Sequence, residues 1–332
     1  MVCRLQRHLD PGQGLRPQHR RDRPRAGEQH EKDDRVNYAA GDPRAGLATT
    51  PKTKVAGPFD PPQFVDLTIE PSARGTDARS RVVRGYNYLL RYSELAPGAA
   101  LTREGILDES MVLLVSDSGS ISVESNAESV ELSAPGVVIV PAGDSRVTAR
   151  AEVVVVEILT IVNAARLPRA ENEQAFRETS GHASPFVPWT STTAPRGLRA
   201  YPLDEVPADP TRFGRIFRSE GIMINFLSIY VGPRSADKLS PHHHDDFEQG
   251  SLIIRGDYTH YVRTPWTTNL EHWVPDVAQT MGGPSLAVIP PPLIHTSRAI
   301  GAGINQMIDI FAPPRVDFEE KGWVVNADDY RG

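Results

Sequence analysis

The residues best suited to chemistry lie together in Pro241-His242-His243-His244-Asp245-Asp246-Phe247-Glu248. This string contains a His-x-His pair followed four residues later by an acid. On a β-strand, residues two apart share a face, so His242 and His244 can project into one interior while His243 points away. Glu248 can join them after a short turn. Further on, the apolar run Leu286–Ile289 meets the stiff turn Pro290–Pro292, and His295 follows, offering a third imidazole. Imidazole nitrogen with carboxylate oxygen suits Fe(II), Mn(II), Ni(II), Zn(II) or Co(II). A surface or structural histidine cluster is the plain alternative. His243, Asp245 and Asp246 read as solvated loop residues.

These groups need a rigid frame, and the composition indicates one built of strands. The chain has 332 residues, with 29 prolines and 26 glycines. Proline inside a helix costs about 3 kcal/mol, so this content disfavours a helical bundle and suits short strands joined by turns. Short Val- and Ile-rich runs bounded by Gly, Pro, Asp and Ser recur at Val112–Val115, Val137–Val140, Val153–Leu159, Ile222–Tyr230, Leu252–Ile254, Leu286–Ile289 and Gln306–Phe311. Their length and spacing predict an all-β sandwich or barrel. Pro168–Thr179 is the clearest helical candidate and falls between two strand-rich halves. Ser180–Arg199 reads as loop.

The halves repeat. Glu109-Ser-Met-Val-Leu-Leu-Val followed by Pro141-Ala-Gly143-Asp-Ser-Arg146 matches Glu248-Gln-Gly-Ser-Leu-Ile-Ile followed by Pro290-Pro-Pro292-Leu-Ile-His295. The second half is longer between these strings, which places an inserted loop around Thr264–Pro275.

With both strings in place, the sequence resembles the cupin superfamily. The first cupin motif reads His242-x-His244-x3-Glu248, with Gly256 closing the strand. The second reads Gly283, the strand Leu286–Ile289, then Pro290-Pro-Pro292-Leu-Ile-His295. Pro292 replaces the usual glycine and Ala299 stands where the later asparagine would be. The resemblance covers 201–315 well, and 64–165 only through the repeat. It implies two tandem cupin barrels (double-stranded β-helix, jelly-roll) with a few short helices. The expected division is a disordered or over-extended arm over 1–60, a first barrel over 61–165, a linker with a short helix over 166–200, a metal-binding barrel over 201–315 and a tail over 316–332. In the first barrel, Arg103 falls at the place of His242, Gly105 at His244 and Arg146 at His295. Arginine cannot ligate a cation, so that barrel is expected to lack metal, with Glu109 pairing to Arg103 or Arg146.

The expected centre is one divalent metal per chain on His242, His244, Glu248 and His295, with Fe(II) favoured over Mn(II), Ni(II) or Zn(II). Tyr258 and His260 share a strand face and are candidate acid–base groups. Arg255 and Arg298 are candidates to hold a substrate carboxylate. Trp266 and Trp273 are candidates for a substrate lid or wall, although they could equally pack on the other barrel or a second subunit. Asn225 and Gln306 are polar positions inside apolar strands. Three functions stay open: an Fe(II) dioxygenase acting on a small organic acid, phenol or diketone, which is favoured; a redox-silent isomerase, lyase or hydrolase; and a small-molecule-binding protein.

The net charge of −6 disfavours nucleic acid. No apolar run reaches the roughly 18 residues of a membrane span. The single cysteine, Cys3, excludes an intrachain disulfide and a thiolate metal cluster, and suits a reducing cytoplasm. The mixed-charge start, from Met1 to Arg35, has nine basic and six acidic residues and no apolar core for a secretory signal. A homodimer is expected from the resemblance alone.

Overall fold

The computed structural model describes residues 56–69, 78–133, 135–178, 181–187, 197–209 and 211–330, all of them in one unit spanning Arg35–Gly332. The expected arm, apart from its last few residues, lies outside the described residues. The first half contributes β1 (Gln63–Asp66), β2 (Ala78–Arg84), β3 (Tyr88–Leu95), β4 (Ala100–Ile106), β5 (Ser110–Leu114), β6 (Ile121–Ser125), β7 (Glu128–Leu132), β8 (Gly136–Val140), β9 (Gly143–Ala149) and β10 (Val153–Thr160). The second contributes β11 (Arg199–Pro202), β12 (Gly214–Arg218), β13 (Met223–Leu227), β14 (Tyr230–Val231), β15 (Gln249–Arg255), β16 (Asp257–Arg263), β17 (Val277–Gly282), β18 (Ser285–Ile289), β19 (Ile294–Ala299) and β20 (Ile304–Phe311). All seven expected runs are strands, and Ile222–Tyr230 is split into β13 and β14.

Each half forms one large and one small antiparallel sheet. The first has β11-β8-β5-β10-β3-β2 over β4-β9-β6-β7. The second has β1-β18-β15-β20-β13-β12, with β14 on β20, over β17-β16-β19. These are the two barrels expected, but their boundaries are crossed. β1 pairs with β18 of the second barrel, and β11 pairs with β8 of the first, so each half lends an edge strand to the other. An unpaired edge is an open template for other chains, and the exchange covers one edge on each large sheet.

Alternation explains the cores. On β5, Met111 and Leu113 belong to a cluster shared with Leu252, Leu286, Ile308 and Ile310 of the second half, while Val112 and Leu114 face the interior of the first barrel. The shared cluster joins the two large sheets. Each fully buried Leu or Ile there contributes about 1.5–3 kcal/mol.

Two features differ from expectation and one agrees with it. Among its described residues, the expected helix Pro168–Thr179 holds only a 3-10 turn, Glu173–Phe176; it is a single turn with no buried face to stabilise a longer helix. The inserted loop is where the repeat placed it: β6 and β7 are joined by Asn126 and Ala127, both at positive φ, whereas residues 264–276 join β16 and β17. The tail is integral. α1 (Val316–Glu320) buries Phe318 against Phe213, Phe311 and Trp323.

A shared core and exchanged strands couple the barrels. Calorimetry should show one unfolding endotherm whose van't Hoff and calorimetric enthalpies agree. Leu252→Ala should lower the stability of the whole unit by about 2–5 kcal/mol. Two separable endotherms would contradict the coupling.

Candidate metal centre

His242 and His295 form an isolated antiparallel bridge, with backbone N–H···O bonds of 3.0 and 2.7 Å in the two directions. This bridge sets their rings 4.5 Å apart between centroids. His244 lies 5.1 Å from His242 and 5.4 Å from His295 by the same measure. One nitrogen from each of the three lies within 4.8 Å of the others.

Tautomers are set by backbone carbonyls. His242 Nδ1 donates to Ser240 O (2.9 Å) and His295 Nδ1 donates to Leu293 O (2.9 Å), so Nε2 carries the lone pair on each ring. His295 Nε2 is buried with no hydrogen-bond partner, as a nitrogen awaiting a metal would be. Burial holds His244 and His295 well below the usual imidazole range, helped by the neighbouring His242. Both are therefore neutral, the form that ligates.

The structure removes Glu248 from this group. Its carboxylate is fully buried and accepts from the backbone N–H of Tyr86 (2.5 Å) and Asn87 (2.7 Å), in the β2–β3 turn of the other barrel. A Cβ on Gly85 would stand 2.6 Å from Glu248 Oε2, so glycine is what permits this approach. Gln249, one residue on, faces the histidines. Its Oε1 is 3.1 Å from His244 Nε2, and its amide donates to Ser251 Oγ (3.1 Å) and Asp309 Oδ1 (3.2 Å). The candidate ligands are thus three imidazoles, with the amide oxygen of Gln249 engaged by His244. A chain through Gln249 to Asp309 orients His244, as outer partners of metal ligands do.

A cavity of about 60 Å³ opens beside the triad, lined by His242, His295, Gln249, Asp309, Ser297, Arg234 and Arg315, with Met307, Phe311 and Phe318 as its apolar wall. Arg234, Asp309 and Arg315 were not anticipated. Asp309 alternates with Ile308 and Ile310, which could have marked it as facing the interior. Arg315 stacks 4.1 Å over Phe318 and pairs with Asp317. The tail therefore lends a wall to the site.

The other candidates lie elsewhere. Tyr258 is buried among Ile253, Ala299 and Met307. His260 is wholly buried and reaches the cavity only through Ser297 Oγ, 2.7 Å from its Nδ1. Arg255 pairs with Asp117 of the first barrel and donates to Gln306 Oε1 (3.0 Å), and Arg298 donates to Arg234 O (2.9 Å). Neither Arg255 nor Arg298 lines the cavity. Trp266 and Trp273 stack on each other at 4.5 Å on the outer loop, Trp266 being 74% exposed, and form no wall of the site. Loop length allowed them to fold back; their mutual stacking holds them outside. Asn225 is buried with neither amide atom hydrogen-bonded. His243 turns towards Asp245.

The first barrel has its own arrangement. Arg103 pairs with Ser145 as His242 does with His295, so Ser145, and not Arg146, is the counterpart of His295. Arg103 donates to Ser145 Oγ (2.8 Å) and Ser110 Oγ (2.9 Å) and lies 3.5 Å from Glu157. Glu109 pairs with neither expected arginine. It takes Arg199 (2.7 Å), Tyr330 Oη (2.8 Å) and the backbone N–H of Glu220 (3.0 Å). Guanidinium fills the place that imidazoles occupy in the second barrel.

Neither a family model nor a curated protein matches the sequence. Solved structures do. AerE from Microcystis aeruginosa matches with a TM-score of 0.50 at 11% identity, over 76% of this chain and 99% of that one. An oxalate decarboxylase from Lactobacillus farciminis, in a formate complex, matches at 0.49 and 12%, over 76% and 84%. A cupin 2 conserved barrel domain protein from Leptotrichia buccalis matches at 0.42 and 13%, over 73% and 91%. The chain has the two-barrel cupin fold. Among the described residues no helix is long and apolar enough to cross a membrane.

His242→Ala and His295→Ala should abolish stoichiometric metal by elemental analysis. Glu248→Gln should keep metal but melt lower, because its amide presents a donor to one of two backbone donors; loss of metal there with unchanged melting would contradict the assignment. In the metal-free protein, His244 and His295 are held low and His260 is held at about 4, all chiefly by burial, whereas burial raises Glu248 to about 7. Below the usual imidazole value of 6.5 the unfolded chain takes up protons that the folded one refuses, so stability is lost as pH falls. Glu248 acts in the opposite sense between 4.5 and 7, but three imidazoles outweigh one carboxyl. The melting temperature should fall from pH 6.5 to 4.5; a rise would contradict it.

Proposed function

We propose that the second barrel is a mononuclear metalloenzyme site for a small organic acid, and that with Fe(II) it acts as a dioxygenase. The observation that carries this reading is the cluster of His242, His244 and His295, with His242 and His295 on the wall of a small cavity. Bound there, a metal would supply open positions for substrate oxygen and, if iron, for O2. Every side chain that would ligate it is neutral, so only the carboxylate of Asp309 on the cavity wall offsets the metal's two positive charges. Arg234 and Arg315 on the cavity wall add to that field. An anionic oxygen is the natural partner.

Size narrows the substrate. A water needs roughly 10–15 Å³ on this scale, so about 60 Å³ accommodates a few heavy atoms and favours a small carboxylic acid over a phenol or a diketone. Met307, Phe311 and Phe318 give the cavity an apolar side, which strengthens charge interactions beside it. Asp309 reaches the cavity while accepting from Ser251 Oγ (2.9 Å) and Gln249, so it can hold or move a proton at the substrate. That carboxylate favours a second reading, in which a redox-silent metal held by the histidines would supply Lewis acidity at a carbonyl and Asp309 would move the proton.

Oxygen uptake separates the two. The Fe(II)-loaded protein should consume O2 with at least one member of a panel of two- to four-carbon acids, and the Zn(II)-loaded protein should not. Asp309→Asn should keep metal stoichiometry and lose roughly 10²-fold or more in turnover. Native zinc or nickel, with no oxygen uptake on any member, would overturn the dioxygenase in favour of the second reading.

A further inference from the structure

The interior of the first barrel carries a charge that its own residues do not balance. Arg91 on β3, Arg103 on β4 and Glu157 on β10 face that interior and are 9%, 3% and 0% exposed. Arg91 donates to one oxygen of Glu157, and Arg103 Nε lies 3.5 Å from the other. Two guanidinium groups thus share one carboxylate. Guanidinium stays protonated in proteins, so the cluster is a net cation. The remaining interior is apolar, with Leu95, Leu101, Val112 and Leu114. An uncompensated charge in such surroundings is costly.

The donors left over show where compensation fits. Nη2 of Arg103 and Nη2 of Arg91 are buried with no hydrogen-bond partner. Ser110 and Ser145 accept from Arg103, and each keeps a hydroxyl proton to donate. Arg103 and Ser145 also form part of the wall of a cavity of about 690 Å³ at the barrel mouth.

We infer that the first barrel binds a small monovalent anion, a halide or a one-carbon carboxylate, on Arg103 and Ser145. The site is the counterpart of the metal centre with its sign reversed. Where the second barrel gathers neutral donors to receive a cation, the first has the cation built in and receives an anion. Glu104, Glu124, Glu128 and Asp144 line the same mouth. They are exposed, so water and salt screen them, whereas the guanidinium acts across a desolvated interior where a charge counts several-fold more. The same acidic rim weighs against a multiply charged ion such as phosphate.

The test uses the full chain in its metal-loaded form, crystallised with sodium bromide. The bromide anomalous map should show a peak within about 3.5 Å of Arg103 Nη2. Absence of a peak there, with or without peaks elsewhere, overturns the inference. In parallel, exchanging gluconate for bromide or formate at constant ionic strength should raise the melting temperature by about 3 °C at ten times the dissociation constant, and the larger rise identifies the preferred class. Arg103→Met should abolish both the peak and the rise while leaving the metal content of the second barrel unchanged. If that variant does not fold, the wild-type map decides.

Discussion

Adjacent residues on a strand face opposite ways, and at the start of β15 that constraint divides the molecule's two tasks. Glu248 points out of its barrel, into the turn of the other, where two backbone donors hold it. Gln249 is thereby turned inward to the histidines. A carboxylate cannot do both. The first barrel repeats the division: Glu109 leaves its barrel to accept the backbone N–H of Glu220, while Ser110 faces inward to Arg103. Each half therefore uses an acid to grip a hairpin turn of the other, and the residue that follows helps define the chemistry of its interior.

This reciprocity joins the fold to its sites. The gripped turns lie between β2 and β3 and between β12 and β13, and both pairs sit in the large sheets that share the apolar cluster. The exchanged strands β1 and β11 close the same sheets. One framework thus supports two interiors of opposite polarity. The second is lined by Gln249, Ser251 and Asp309, where the first has Ser110, Val112 and Glu157 at the matching register. On these paired strands the polar residues that set the two interiors apart lie on the inward faces, while the outward faces pack on each other.

Much of this organisation was legible in the sequence. The His-x-His spacing, the proline turn before His295, the repeat and seven strand runs could be read from residue types, because period-two alternation and turn residues are local signals; β3, an internal strand of eight residues, was not among them. The errors were errors of register and of partner. Taking Glu248 as a ligand relied on its residue type, whereas Gly250 and Leu252 on its own face mark the packed side of β15 and Gln249 and Ser251 mark the other. Matching Arg146 to His295 missed by one residue for the same reason. Arg255, Arg298, Trp266 and Trp273 carried no local sign of their partners. Asp117, the backbone of Arg234 and the mutual stacking of the indoles are tertiary facts. The tail looked separable because its apolar residues are few, yet its phenylalanine, Phe318, and the arginine before α1, Arg315, form part of the cavity wall.

The account rests on three imidazoles, and no carboxylate, holding the metal. Anomalous diffraction from the metal-loaded protein at the absorption edge of its metal measures this directly. One peak should appear in the second barrel, about 2.0–2.2 Å from a nitrogen of each of His242, His244 and His295, with Glu248 still bound to the Tyr86 and Asn87 amides. A peak coordinated by Glu248, or one in the first barrel at Arg103, would contradict it.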